Sequence, residues 1–286
     1  MTPAPETFAL VTPSFRLDLE RCRLLVETVD AHVAPHVGHY VIVDRRDLPR
    51  FRPLRSARVH LLAVEDVLPW WIMRVPGIER RWLSLRTPPI DNWIVQQLVK
   101  LSVAHVVPAD VLVYVDSDVF FVSPFDPRDA VRDGAVPLLC QLRAPAVNAE
   151  NAAWHRSAAR LLRLPLQESS DTNFVGNLVA WRRENVLRLH QHVRAVGGRG
   201  LVQAVAGQRA FSEYVLYGTF VRRVLGAQAG QYESADDDTL CYWSTATLNE
   251  DGLRELRRQL APHHRAVMVS AKSRTPVTLI RRVFLD

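Results

Sequence analysis

The chain has 286 residues, 48% of them hydrophobic and 23% charged, proportions of an ordinary globular protein with room for one large α/β domain or two small ones. No apolar run approaches the ~18 residues that span a bilayer, and Cys22, Cys140 and Cys241 have neither metal-ligand spacing nor an even count, which argues against a membrane span, a zinc site and a disulfide scaffold. The net charge of +6 is spread over scattered arginine pairs such as Arg45-Arg46 and Arg182-Arg183, without a nucleic-acid-binding signature, so a solvated surface attractive to anionic substrates or lipid headgroups is expected instead.

The opening "MTPAPETFALVTPSF" lacks the basic start and apolar stretch of a signal peptide, which predicts a cytoplasmic protein, compatible with a peripheral contact at the inner membrane surface. "TFALVTPSF" reads as a buried strand ending in a polar turn at Thr12, Pro13 and Ser14. Leu17, Leu24, Leu25, Val29 and Val33 then recur at helical spacing, "HYVIVDRRD" gives a second strand with Asp44 near its end, and "ARVHLLAVEDV" gives a third. This strand–helix–strand opening predicts an open, mostly parallel α/β sheet flanked by helices, with ligands at the carboxyl ends of its strands.

Residues 68–93 break that rhythm and carry four of the seven tryptophans, Trp70, Trp71, Trp82 and Trp93. They are expected to form an irregular segment whose rings serve either as a stacking platform or as core. "IVQQLVKLSVAHVV" is a helix stopped by Pro108, "ENAAWHRSAARLLRL" a helix near Pro165, and 183–196 another. "QRAFSEYVLYGTFVRRVLG" is a helix with Glu213 among apolar positions, "NEDGLRELRRQL" a surface helix, and "PVTLIRRVF" a closing one. A single domain is expected over 1–286, with a half at 7–126 that is nucleotide-binding in character and a second half at 127–286.

The most informative stretch is "DVLVYVDSDVFFVSPF", where β-branched flanks demand burial around Asp116, Ser117 and Asp118. Two unpaired carboxylates there are unfavourable. A divalent cation shared with a diphosphate would resolve the conflict, Mg²⁺ and Mn²⁺ being ions that take few protein carboxylates. Backbone hydrogen bonds that cap a turn are the alternative. The second Asp-x-Asp, Asp236 and Asp238 in "ADDDTL", reads as a solvated turn. Of the 36 basic residues only Lys100 and Lys272 are lysine, and both fall in segments of interest.

"QLVKLSVAHVVPADVLVYVDSDVFFVSPFD" resembles the core of GT-A-fold, metal-dependent glycosyltransferases of the glycogenin and bacterial galactosyltransferase type. Trp93, Gln96, Gln97, Lys100 and "SEYVLYG" further resemble a group of bacterial glycosyltransferase-like proteins. The resemblance implies a GT-A sheet, a nucleoside-diphosphate sugar donor (a UDP- or GDP-sugar), and a glycan, lipid-linked or small-molecule acceptor. It also implies Mn²⁺ or Mg²⁺ held by Asp116 and Asp118. Lys100 and Gln97 would lie near the nucleotide. "NFVGNLVAWRREN" resembles the segment bordering the sugar, placing Asn173 and Asn177 there; "HHRAVMVSAKSRTP" resembles the closing segment in which a histidine, His264 with His263 as rival, completes the metal shell and Lys272 holds the diphosphate. On the acceptor side Glu213 is a candidate general base or sugar-orienting group, unless it merely pairs with Arg209 or Arg222; the Asp171-Thr172-Asn173 turn either positions the acceptor or caps a strand. A sugar nucleotidyltransferase would need a glycine-rich loop after the first strand, where "TPSFRLD" has none. A sugar-nucleotide- or glycan-binding protein without catalysis is the other alternative.

Overall fold

The computed structural model describes residues 6–75, 77–79, 81–142, 149–165, 172–208 and 210–286. Its centre is a five-stranded sheet built from β1 (Phe8–Pro13), β2 (Gly38–Val43), β3 (Val59–Ala63), β4 (Val111–Tyr114) and a later strand, Val179–Arg182. Between them lie α1 (Leu19–His32) and α2 (Asn92–Ser102). After β4 come β5 (Val119–Phe121), β6 (Val136–Leu139) and α3 (Ala149–Leu162); the late sheet strand is β7, followed by α4 (Arg183–Gly197) and α5 (Glu213–Phe220). The chain closes through β8 (Gln231–Ser234), β9 (Thr239–Tyr242), α6 (Glu250–Arg258), β10 (Ala266–Val269) and α7 (Val277–Phe284).

The sheet order is β7-β4-β1-β2-β3. β1 is parallel to β2 and β4, β2 is parallel to β3, and β7 alone runs antiparallel, against β4. Every residue of β1 is buried, as expected for a strand covered on both faces. Its side chains alternate accordingly. Ala9 and Val11, with Leu112 and Tyr114 of β4, face a core completed by α2, α4 and α5. Phe8 and Leu10, with Val111 and Val113, face α1 and the β5–β10 pair. The result is the expected single α/β domain, a mostly parallel sheet between helical layers. Smaller pairings accompany it, among them β9-β10-β5, and β6 parallel to β8. Among the described residues no helix is long and apolar enough to cross a membrane.

The helix expected over "QRAFSEYVLYGTFVRRVLG" begins later than its apolar pattern suggests. Ser212 caps it, its Oγ accepting from the Val215 amide, so Glu213 is the first helical residue rather than an interior one. The glycine ending "SEYVLYG" has a packing reason. A Cβ on Gly218 would lie 2.3 Å from the ring of the buried Phe174. Gly218→Ala is therefore expected to cost about 1–3 kcal/mol by overpacking, read as a lowered urea midpoint. A cost below ~0.5 kcal/mol would mean that Phe174 moves aside freely.

Candidate functional site

The strand order reverses between β1 and β4, since β2 and β3 lie on one side of β1 and β4 on the other. In open α/β sheets ligands bind in the crevice outside the carboxyl ends of the strands at such a point. The residues that leave β4 there are Asp116, Ser117 and Asp118. They form a tight turn, closed by the Val119 amide donating to the Asp116 carbonyl at 3.2 Å. Three separate elements hold this turn in place. The Asn177 side-chain oxygen accepts from the Asp116 amide at 3.1 Å. Ser117 Oγ donates to Asp18 Oδ2 at 3.3 Å, at the start of α1. Asp118 Oδ2 accepts from the Ala271 amide at 2.7 Å, just after β10.

Asn177 reaches its position at a conformational cost. Leu178, next in the chain, has φ +56°, a region that side chains other than glycine, asparagine and aspartate rarely adopt. Gly176 on the other side has no room for a Cβ, which would lie 2.4 Å from the Leu139 side chain. The close approach of this segment to β6 and the strained residue beside it fix the amide that steadies the turn.

Behind the turn lies a buried charge network. Lys100, on α2, points Nζ at Asp116 Oδ1 (3.0 Å), Tyr214 Oη (2.9 Å) and Glu213 Oε1 (3.2 Å). Its Nζ also sits 4.6 Å from the Tyr214 ring centroid. Burial opposes the ammonium, but Asp116, Tyr214 and Glu213 together hold its pKa well above the usual lysine value. The Glu213 carboxyl is raised by burial, with Lys100 opposing. Gln97, one turn before Lys100, accepts the Glu213 amide at 3.1 Å. Its own buried Nε2 has no hydrogen-bond partner among the described residues.

The front of the turn is rich in negative charge. Burial and then Asp116 raise the Asp118 carboxyl to about 6. Asp18 is also raised, chiefly by burial, while Arg21 and Ser117 act against this. Arg21 is the counter-charge to Asp18 and Asp118, yet both its terminal nitrogens are spent on main-chain oxygens, those of Val269 (2.8 Å) and Thr275 (2.9 Å). Lys272 is exposed, next to the Ala271 amide that holds Asp118, and has no ion pair among the described residues.

The structure thus brings together Gln97, Lys100, Asp116, Ser117, Asp118, Asn177 and Glu213, with Lys272 one residue from the contact. It separates others. His264 stands at the opposite end of β10: Phe121 pairs with Ala266, whereas the Val269 amide meets the Asp118 carbonyl. Five residues of strand put His264 roughly 16 Å from that level, at about 3.3 Å per residue. There its Nδ1 accepts the Ala261 amide, and His263 stacks beside it, so neither histidine joins the carboxylates. Among the described residues no group of three His, Cys, Asp or Glu side chains is arranged to hold a metal.

Other expected site residues stand outside this set of contacts. Thr12 Oγ1 shares a hydrogen bond with His39 Nε2 inside the sheet (2.9 Å), and burial lowers the pKa of that imidazole to about 3. Pro13 and Ser14 are buried but stand at the carboxyl end of β1 itself, and Ser14 Oγ has no hydrogen-bond partner among the described residues. Asp44 pairs with Arg74 (3.2 Å) and Arg46 (3.5 Å). Asn173, in a short strand paired with Gln141, is satisfied by the Gln141 side chain and by the Val175 main chain. Asp171 and Arg209 lie outside the described residues. Arg222 pairs with Glu233 rather than Glu213. Of the four tryptophans at 70–93, Trp71 and Trp82 are core while Trp70 and Trp93 are exposed.

Sequence reasoning missed Asp18, Arg21 and Tyr214. The first two were hidden because the helical pattern at 17–33 absorbs them, although an aspartate just before a helix is itself a start signal. Tyr214 stands in the "SEY" segment beside Glu213, but nothing in the spacing links it to Lys100.

A comparison with curated proteins finds no match. A comparison with protein families matches residues 10–269, a span that includes every member of the turn and the network behind it. The chain accordingly belongs to DUF6492, described as a family of unknown function.

Proposed function

We propose that this protein is a GT-A-type glycosyltransferase that moves a sugar from a nucleoside-diphosphate sugar to a hydroxyl-bearing acceptor. The observation that carries the proposal is the Asp116-Ser117-Asp118 turn, placed at the switch point of the sheet with more carboxylate than cation around it. The order β3-β2-β1-β4, followed by antiparallel β7, supports the same reading, being compatible with a nucleotide-binding sheet extended by a sugar-binding half.

The donor set suits Mg²⁺ or Mn²⁺: hard carboxylate oxygens, few in number, leaving coordination positions for phosphate oxygens and water. Asp116 Oδ2 and Asp118 Oδ1 remain outside the hydrogen bonds described above, so each carboxylate keeps one oxygen for an ion. When bound, such an ion supplies charge neutralisation for a departing diphosphate. The protein's own contribution is positional. Lys100 orients Asp116, Glu213 and Tyr214 fix Lys100, and the Ala271 amide orients Asp118. Lys272, exposed and next in the chain to Ala271, is the candidate to stabilise developing negative charge on a leaving group. Glu213, beneath Asp116 and bound to Lys100, is a positioning residue in this reading rather than the acceptor base.

Thermal unfolding with UDP, GDP, ADP or dTDP, each with and without Mn²⁺, tests the proposal. The expected result is a rise of at least ~2 °C for one nucleotide that requires the metal and disappears in Asp118→Ala, because a ligand that binds only the native state stabilises it. A shift independent of metal would point instead to a binding protein without transfer chemistry. The absence of any nucleotide shift would overturn the assignment of the turn.

A further inference from the structure

The segment between β3 and α2 presents a second feature, outside the carboxylate site. Residues 72–73, 81–84 and 90–91 form a small antiparallel sheet, order as in the chain. Its inner face is core: Ile72, Trp82, Ser84 and Ile90 are buried. Its outer face carries an apolar row beside an exposed Arg81–Asp91 ion pair (3.1 Å). Met73 stands directly across from Leu83, and Leu85 continues the outward row two residues on. Trp70, 72% exposed, precedes the Trp71 carbonyl that accepts the Leu85 amide, which sets it at the same edge.

This concentration is not general to the surface. Eleven large hydrophobic side chains are exposed among the described residues, and six of them, Trp70, Met73, Ile78, Leu83, Leu85 and Trp93, fall within residues 70–93. Scattered exposed apolar residues are ordinary, but a clustered set marks an interaction surface. The same stretch carries four arginines (Arg74, Arg80, Arg81, Arg86) against Glu79 and Asp91, a formal excess of two positive charges, although Arg74 is part-buried against Asp44 and Arg81 is paired with Asp91. Arg81 flanks the apolar row and Arg86 lies over the Trp71 ring at 5.5 Å.

We propose that this outward sheet face docks on an anionic lipid surface. Tryptophan and aliphatic side chains beside arginine suit the boundary between headgroups and acyl chains, and basic residues suit negative headgroups. Charge decides against a second copy of the chain: a two-fold interface would set the same arginine-bearing patch against itself, in a molecule of net charge +6. A bilayer offers the complementary sign.

The segment is also tied to the carboxylate site's end of the sheet. Glu79 pairs with Arg16 (2.5 Å), two residues before Asp18, and Arg74 pairs with Asp44 at the end of β2. Docking there brings a membrane alongside the carboxyl ends of the strands. Taken with the transferase reading, on which this step alone rests, it favours an acceptor anchored in that same membrane.

The test is co-sedimentation of the full chain with vesicles of equimolar phosphatidylcholine and phosphatidylglycerol, against vesicles of phosphatidylcholine alone. The variants are W70S/L83S/L85S, all at exposed positions, and Asp118→Ala. Binding to the anionic vesicles that weakens with added salt, falls about tenfold in the triple variant and persists in Asp118→Ala is expected. Retention in Asp118→Ala makes the surface independent of the transferase reading, so either can fail without the other. No binding, or equal binding to both vesicle types, overturns the proposal. So does a concentration-dependent dimer that the triple variant abolishes, since that would identify a second copy as the occupant.

Discussion

Replacing Lys100 with methionine is expected to cost about 3–5 kcal/mol of stability, the range found when one partner of a buried ion pair is removed. The side chain is almost fully buried, and its three donors have three partners, in Asp116, Glu213 and Tyr214. Methionine fills comparable volume, so the loss is electrostatic rather than a cavity. What remains is a Glu213 carboxylate, 5% exposed, with its counter-charge gone. The compensating double variant separates this account from a packing defect. Lys100→Met with Glu213→Gln removes both charges, and should recover more than half of the loss in urea denaturation, because a neutral amide is far cheaper to bury. If the single change costs less than ~1 kcal/mol, or the second adds to the first instead of offsetting it, the network is not holding charge as described.

The same residue shows how far the sequence could be read. In a chain whose basic residues are almost all arginine, a lysine is a chemical choice, and the structure supplies the reason: a compact ammonium can direct three donors to three different side chains in a small buried space, where a planar guanidinium cannot. Strands and helices were legible because their periodicity is a local property, and the β4 turn was legible because its apolar flanks demand that two carboxylates be explained. His264 was misplaced because its assignment depended on resemblance alone. The antiparallel pairing of β10 with β5 then runs His264 away from the turn while bringing Ala271 to it. Glu213, read from its apolar neighbours in the sequence, is buried with a raised pKa, yet its partner comes from a helix more than a hundred residues earlier. Pairings of that sequence separation are set by the strand order, which no local pattern encodes. The exposed tryptophans illustrate the remaining ambiguity. One irregular segment supplies two rings to the core and two to the surface, and only the two-residue alternation of a short sheet decides which.

Changing Asp118 to asparagine is expected to stabilise the metal-free protein near pH 8, the reverse of what a structural aspartate would do. The carboxyl is raised from 3.8 to about 6, first by burial and then by Asp116. A group raised in the folded state contributes its full stabilisation below its unfolded pKa, and loses it as pH climbs through the folded value. Metal-free wild-type protein should therefore weaken between about pH 4 and pH 6 relative to the variant, and stay weaker above. Asparagine keeps an acceptor for the Ala271 amide while removing the charge, so its gain at pH 8 is about 1–2 kcal/mol once partial solvent exposure of the site is allowed for. Mn²⁺ should reverse the order, raising the melting temperature of the wild type at pH 8 and leaving the variant little changed. Melting curves of both proteins across this pH range, in chelator and in Mn²⁺, decide the matter. A variant less stable than wild type at pH 8 without metal would make Asp118 a cap for the Ala271 amide. A variant more stable without metal and indifferent to it would show a carboxylate retained against folding, as expected of a group whose use is to hold a cation.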